Sequence, residues 1–266
     1  MYKTHFAFKH YPFDNTLRSD ELHDSDATRE ARSRIRHLLE LRGIGLLTGE
    51  AGSGKTTLCR QTAAGLHPNR YRVCYVALST GSVLDSYNMI ADAFGLEHFT
   101  SRSAAYKAIR KAVSRLVTES RQYPVLIFDE AHHLHNEILE ELRLLTNYRM
   151  DSENRLCLLL VGLTELRRRL EMAAHASLSQ RIVLRCTLEG LGRDEVGGYI
   201  EHRLRLAGSD AGIFEREAVE AVALASNGLP RRIDRIAHYA LHAAALEGSR
   251  TVSITHVEHA SRELAP

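Results

Sequence analysis

A glycine-rich segment in the first quarter of the chain has the residue types and spacing of a phosphate-binding loop. It reads Gly-Glu-Ala-Gly-Ser-Gly-Lys-Thr over 49–56, after an apolar run and before a helical pattern. Glycines let successive backbone N–H groups turn inward around phosphate oxygens, and the helix N-terminus adds partial positive charge. Lys55 can reach β- and γ-phosphates, and the Thr56 hydroxyl can ligate Mg²⁺. The residues assigned to phosphate binding are Gly49, Glu50, Ala51, Gly52, Ser53, Gly54, Lys55, Thr56 and Thr57.

Two carboxylates end an apolar run further along the chain. Residues 125–128 are Val-Leu-Ile-Phe, and Asp129 and Glu130 follow them. Parallel strands deliver polar groups at their carboxyl ends, where ligands of α/β sheets bind. We therefore expect Asp129 to hold Mg²⁺ and Glu130 to orient and polarise an attacking water. Taken alone, the pair could instead be an acidic cap of the next helix.

The same segment allows two other interpretations. Asp129-Glu-Ala-His132 spells the DEAH box of some helicases. Those enzymes need two RecA-like domains and a much longer chain. His132, His133 and His135 suggest a metal cluster. Adjacent residues of a helix project from different faces, so we predict solvated histidines here.

Apolar runs of strand length alternate with helical patterns up to about residue 190. The five runs cover 43–47, 72–78, 125–128, 156–161 and 182–188, and they are apolar on both faces, as buried parallel strands are. This alternation predicts an α/β fold with a parallel five-stranded sheet between helices. Beyond it only helical patterns occur. We predict an N-terminal segment packing on the core (1–28), an α/β nucleotide-binding core (29–190) and a small helical lid (191–266).

Composition excludes several classes of protein. The 266 residues are 44% apolar and carry 35 basic and 33 acidic side chains, so the chain is neither disordered nor a polycation. No window approaches the ~20 apolar residues of a membrane helix, and the N-terminus has no signal-peptide pattern. The cysteines have no CxxC spacing, which indicates buried thiols: Cys59, Cys74, Cys157 and Cys186. We therefore expect a cytoplasmic protein.

These residues resemble the AAA+ P-loop ATPases, and more narrowly the branch with the ExeA/GspA secretion ATPases and the transposition regulators TnsC and MuB. The similar segments are Met1-Tyr-x-x-x-Phe6 with Pro12-Phe13, the loop from Leu46 to Thr57, Leu142–Asn147, and Leu159-Leu-Val-Gly162 with Glu165-Leu166. The resemblance covers nearly the whole chain. It implies ATP and Mg²⁺ as ligands and ATP hydrolysis as the reaction.

Further roles follow from the resemblance alone. Pro12 and Phe13 would lie near the adenine or brace the core against the lid. Arg181 matches an arginine finger that enters a neighbouring subunit's site, where a cation stabilises charge on the transferring phosphoryl group. Arg231, after Gly-Leu-Pro, matches the lid's sensor 2. The chain departs from the family at sensor 1, a polar role that Thr164 or Asn147 could fill.

A basic segment is a candidate nucleic-acid surface. Residues 102–121 carry six basic side chains against Glu119 alone, in a chain of net charge +2. Lys107, Arg110 or Lys111, and Arg115 recur at roughly helical spacing and can line one face. The residues assigned to DNA are Arg102, Lys107, Arg110, Lys111 and Arg115. They would contact phosphates without reading bases, and in the resembling transposition proteins this region faces DNA. A solvated helix face is the alternative.

The resulting hypothesis is a homo-oligomeric ATPase that assembles in a ring or helix on double-stranded DNA, independently of sequence, and recruits a transposase or integrase. Hydrolysis would disassemble it. A second hypothesis is an ExeA/GspA-type ATPase acting on an envelope complex. The membrane span and cell-wall domain expected of that type are not found in this sequence, which favours DNA here. A non-hydrolysing, nucleotide-gated scaffold is a third.

Overall fold

The computed structural model describes residues 2–14, 18, 20–77, 81–209 and 212–264. Its five strands are β1 (Ile44–Thr48), β2 (Tyr71–Val76), β3 (Tyr123–Phe128), β4 (Cys157–Gly162) and β5 (Ile182–Thr187). Its α-helices are α1 (Tyr2–His5), α2 (Asp26–Leu41), α3 (Lys55–Ala64), α4 (Val83–Phe94), α5 (Arg102–Thr118), α6 (Asn136–Leu145), α7 (Thr164–Leu170), α8 (Ala176–Arg181), α9 (Glu195–Leu206), α10 (Arg216–Ser226), α11 (Pro230–Leu246) and α12 (Ile254–Glu263). Short 3-10 turns cover Ala131–His133 and Ala173–His175.

The strands form one parallel sheet in the order β2-β3-β4-β1-β5. This confirms the predicted fold class. β4 lies between β1 and β3, so the strand before the glycine-rich loop is not a direct neighbour of the strand before the two carboxylates. Because all five strands are parallel, the segments after β1, β3 and β4 emerge at the same carboxyl edge.

The chain divides into two compact units. The α/β unit comprises Glu30–Ala51 and Lys55–Leu188, and the helical unit comprises Met1–Arg29, Gly52–Gly54 and Glu189–Pro266. In the α/β unit, β1, β3 and β4 are almost entirely buried, and α4, α5 and α6 pack apolar side chains against the sheet. Removing these apolar side chains from water is the main stabilising term of this unit.

The N-terminal segment groups with the helical unit. Tyr2, Phe8 and Phe13 are buried in the apolar core formed by α9 to α12. Arg203 of α9 reinforces this packing, because its Nε donates to the Pro12 carbonyl at 2.8 Å. Aromatic side chains of this size bury enough apolar surface to hold a short segment on a helical core.

A buried polar network surrounds that arginine. The Tyr199 hydroxyl donates to Asp234 Oδ1 at 2.8 Å, and Arg203 Nη1 lies 3.6 Å from Asp234 Oδ2. Burial raises the pKa of Asp234 to about 6, against the opposing attraction of Arg203. The network ties α9 and α11 together through groups that are largely buried.

Two other expectations can be compared with the structure. All four cysteines are free and buried, as the thiol interpretation predicts. Helix α2 was not predicted. The predicted strand over 72–78 ends at Val76, and Leu78 lies outside the described residues. None of the helices in the described ranges is both long enough and apolar enough to cross a membrane.

Candidate functional site

The glycine-rich loop after β1 is folded around its own lysine. Gly52 and Gly54 have φ of +83° and +96°, which L-residues with a side chain rarely adopt. The Lys55 side chain is buried (8% exposed), and its Nζ donates to the carbonyls of Gly49 and Glu50 at 3.0 and 2.9 Å. A lysine at this point of the loop, beside glycine backbone N–H groups, can attract the oxygens of a phosphate.

One buried hydroxyl in the loop supports the fit of phosphate. The Ser53 Oγ is buried and has no hydrogen-bond partner among the residues that the structure describes. A buried polar atom without a partner is costly, and an additional ligand would satisfy it. The loop therefore offers a free hydroxyl, a buried cation and glycine backbone N–H groups, which is the donor set that a polyphosphate needs.

Asp129 directly follows β3 at the carboxyl edge of the sheet. It is 2% exposed, and its Oδ2 accepts hydrogen bonds from the Thr56 hydroxyl at 2.7 Å and from the Tyr75 hydroxyl at 2.9 Å. Its Oδ1 accepts from the Glu130 N–H at 2.9 Å. Hydroxyl and carboxylate oxygens are the ligands that Mg²⁺ prefers, so Thr56 and Asp129 fit this ion.

Tyr75 is a residue of this site that the sequence did not reveal. It lies on the edge strand β2, and burial followed by its hydrogen bond to Asp129 raises the pKa of its phenol. The phenol is therefore protonated at neutral pH and serves as a donor. A tyrosine in an ordinary strand gives no signal of such a role, because the contact depends on pairing between β2 and β3.

Glu130 has an unusual backbone. Its φ and ψ are 52° and 31°, in the left-handed region that residues with a side chain avoid. Its side chain is half exposed (47%), and its Oε2 lies 3.5 Å from His132 Nδ1. Burial lowers the pKa of His132. Such strained residues cluster at functional sites, and the carboxylate of this one is accessible to solvent.

The structure separates the two sensor 1 candidates. Thr164 begins α7 directly after β4, and its hydroxyl donates to Glu50 Oε1 at 3.0 Å. Asn147 follows α6, where the chain returns toward the amino edge of the sheet, and its carbonyl accepts from Arg110. Thr164 thus lies beside the glycine-rich loop and Asn147 does not.

Arg181 lies at the amino edge of the sheet, opposite the carboxyl edge from which the glycine-rich loop emerges. It is the last residue of α8 and immediately precedes β5, whose first residue pairs with the first residue of β1. A strand of this length spans roughly 16 Å, so Arg181 cannot reach the loop of its own subunit. Its side chain is paired with Asp151 and 23% exposed.

Three candidates belong to the helical unit. Arg231 is exposed in the first turn of α11, and its backbone N–H donates to the Gly52 carbonyl at 3.3 Å. Phe13 packs edge-to-face on Phe214. The Pro12 carbonyl is occupied by Arg203. Phe13 is therefore a core residue of this unit, whereas Arg231 is exposed.

The basic residues of α5 divide into two groups. Arg102 pairs with Glu141, and Arg110 donates to the Asn147 carbonyl and stacks over Tyr148 at 4.0 Å, so both are engaged in the fold. The other three are exposed and spaced by four residues: Lys107, Lys111 and Arg115. The Arg115 side chain lies 4.0 Å from the exposed carboxylate of Glu119. The predicted stripe thus reduces to three side chains on one face of α5.

A family profile and a known protein match the sequence of this chain. Residues 36–170 match the profile of a protein family described as AAA domain. The general secretion pathway protein A of Aeromonas hydrophila is 32% identical over 258 residues, which cover 95% of this chain and 46% of that protein. This chain thus spans less than half the length of that relative.

Solved structures share the fold. The Cdc6p protein of Pyrobaculum aerophilum superposes with a TM-score of 0.73 at 17% identity, over 95% of this chain and 70% of that one. The ORC2 protein of Aeropyrum pernix, in ADPNP–ADP complexes, gives 0.68 at 22% identity, over 96% of this chain and 72% of that one. At this level of identity the likeness shows the fold.

Proposed function

This chain belongs to the AAA domain family, and we propose that it binds ATP with Mg²⁺ at the loop 49–57 and hydrolyses it. The observation that carries the proposal is the 2.7 Å hydrogen bond between the Thr56 hydroxyl and Asp129. It joins the glycine-rich loop to the carboxylate at the end of β3, which is the pair that holds Mg²⁺ in P-loop ATPases.

Each residue of the site has a separate task. Lys55 exchanges its loop carbonyls for phosphate oxygens, and Ser53 gains a partner. Mg²⁺ held by Thr56 and Asp129 would neutralise phosphate charge. Glu130 accepts a proton from the attacking water, because its carboxylate reaches solvent while Asp129 remains buried.

The remaining candidates are proposed to monitor the nucleotide. We assign the sensor 1 role to Thr164, since its hydroxyl donates a hydrogen bond to the carboxylate of Glu50 in the loop. Arg231 is proposed as sensor 2 because its side chain is exposed and its backbone contacts Gly52. Pro12 and Phe13 are proposed to support the adenine indirectly, through the packing of the N-terminal segment.

Lys55→Ala tests nucleotide binding. We expect it to weaken ATP affinity by about 10- to 100-fold, since charge-assisted hydrogen bonds contribute about 1.5–3 kcal/mol. The measurement is a fluorescence titration with a labelled ATP analogue. Lys9→Ala, which removes an exposed lysine, is the matched control. Equal affinity of both variants and the wild type would place the nucleotide elsewhere or exclude it.

We further propose that ATP-bound copies assemble on double-stranded DNA. The observation is the row of exposed cations on α5, Lys107, Lys111 and Arg115. Three cations on one chain bind weakly, but a ring or helix of subunits repeats them along the phosphate backbone. Such contacts are independent of sequence. The oligomer would then recruit a protein partner, a transposase or integrase in this hypothesis.

Replacing Lys107, Lys111 and Arg115 with alanine together should reduce the salt dependence of duplex binding. Each lost phosphate contact lowers the slope of log K against log salt by about 0.9, so a reduction of about 2 to 3 is expected. Anisotropy of a labelled duplex over a salt series, with a non-hydrolysable ATP analogue, measures it. The control removes three exposed arginines of the helical unit, Arg216, Arg250 and Arg262. Duplex affinity that is unaffected by ATP would contradict the proposal.

The similarity to general secretion pathway protein A supports a second candidate. It extends over 95% of this chain, so an ATPase that acts on an envelope complex fits the same residues. Imaging with an ATP analogue distinguishes the two. Assembly that requires duplex DNA favours the first candidate. Assembly indifferent to DNA, with capture by membranes or peptidoglycan in its absence, favours the second.

A further inference from the structure

A carboxylate and two imidazoles converge beside the proposed catalytic site. One ligand atom each from Glu130, His132 and His133 lie within 4.8 Å of one another. Glu130 Oε2 and His132 Nδ1 are 3.5 Å apart. The two histidine rings face each other at a centroid distance of 4.1 Å and an interplanar angle of 39°.

This arrangement contradicts the expectation that adjacent histidines diverge. On a regular helix neighbouring side chains project about 100° apart, because there are 3.6 residues per turn. Here the segment is a single 3-10 turn, Ala131–His133, preceded by the left-handed backbone of Glu130. In this setting the two rings lie close together at a tilted angle, and the Glu130 carboxylate lies beside them. The local backbone thus creates a cluster that helical periodicity does not predict.

The turn is held in place before any ligand binds. Arg169 donates to the carbonyl of His132 at 3.0 Å and to that of Leu134 at 2.7 Å. The His132 side chain is 5% exposed, and the Leu163 N–H donates a long hydrogen bond of 3.4 Å to its Nδ1, which a metal ion at this nitrogen would replace. Glu130 and His133 are exposed, so an ion has access from solvent.

We propose that Glu130, His132 and His133 bind a transition-metal ion, Zn²⁺ in particular, and that the bound ion withdraws Glu130 from ATP hydrolysis. Two imidazoles and a carboxylate with an open fourth position suit tetrahedral Zn²⁺. Ligand atoms about 2.0 Å from such an ion lie about 3.3 Å apart, close to the Glu130–His132 separation. Rotation of the exposed His133 side chain would bring its ring nitrogen within bonding distance of the same ion. The inhibitory effect, but not the metal site, rests on the proposed ATPase function.

Cobalt binding tests the site without reference to activity. The full chain is stripped with a chelator and titrated with Co²⁺ in the absence of nucleotide, and visible absorption reports tetrahedral coordination. Zn²⁺ is then added and competes with Co²⁺ for the site. An octahedral site at Thr56 and Asp129 gives a much weaker signal. We expect one equivalent to bind, and His133→Asn or His132→Asn to weaken binding by about 10-fold or more.

His135→Asn is the matched control, because His135 lies in the same groove but outside the cluster. It should bind Co²⁺ as the wild type does. The metal proposal is overturned if His133→Asn binds equally well, if the control loses binding too, or if the tetrahedral signal is absent.

A second arm separates this proposal from the ATPase proposal. In excess Mg²⁺, added Zn²⁺ should inhibit ATP hydrolysis by the wild type and His135→Asn equally, and inhibit His133→Asn less. Equal inhibition of all three overturns the inhibitory role. Tetrahedral Co²⁺ binding without any ATP hydrolysis would support the metal site and contradict the ATPase function.

Discussion

Glu130→Gln is expected to lower the rate constant of ATP hydrolysis by about 10²- to 10⁴-fold while nucleotide binding persists. The glutamine keeps the size of the side chain and its position in the left-handed turn, but it cannot accept a proton from water. Asp129 cannot substitute, because it is buried and its oxygens already accept from Thr56, Tyr75 and the Glu130 N–H. Phosphate release under saturating ATP measures the effect.

Glu137→Gln is the control for this prediction. It removes an exposed carboxylate from the first turn of α6, a few residues from the site, without changing the turn at 130–133. Hydrolysis by Glu130→Gln at the wild-type rate would show that another group activates the water. If the wild type itself binds ATP without turnover, the nucleotide-gated scaffold becomes the better hypothesis.

Arg181→Ala should have a comparable effect through a different subunit. An arginine finger contributes about 10³- to 10⁵-fold to the rate constant, and Arg181 lies at the edge of the sheet far from its own loop. We expect the variant to bind ATP normally, since no residue of its own site is altered. Its hydrolysis rate at concentrations that support assembly of the wild type is the measurement.

Mixing two inactive variants tests the role in trans. Glu130→Gln subunits retain Arg181, and Arg181→Ala subunits retain Glu130, so some interfaces of a mixed assembly contain both groups. Activity should reappear on mixing. Arg216→Ala, which removes an arginine that is 88% exposed in its side chain, should hydrolyse ATP normally. Full activity of Arg181→Ala would assign Arg181 a structural role through its ion pair with Asp151.

The sequence alone was sufficient to predict the five strands and the α/β class, and it contains the residues of the proposed site in two short segments. Five apolar runs coincide with the five strands to within two residues at every boundary, because a buried parallel strand is apolar on both faces. The glycine-rich loop and the two carboxylates were recognisable because each function resides in one short segment. Helix α2 could have been found as well, since its buried Ala31, Ile35, Leu38 and Leu39 follow helical spacing.

Tertiary structure alone decided what depends on contacts between distant segments. The placement of β4 between β1 and β3 brings Thr164 to the loop and leaves Asn147 away from it. Strand pairing brings Tyr75 to Asp129, and aromatic packing places the N-terminal segment in the helical unit. Periodicity describes which face of an element is apolar, but it carries no information about which other element covers that face. For the same reason, the convergence of Glu130, His132 and His133 became visible only in the folded turn.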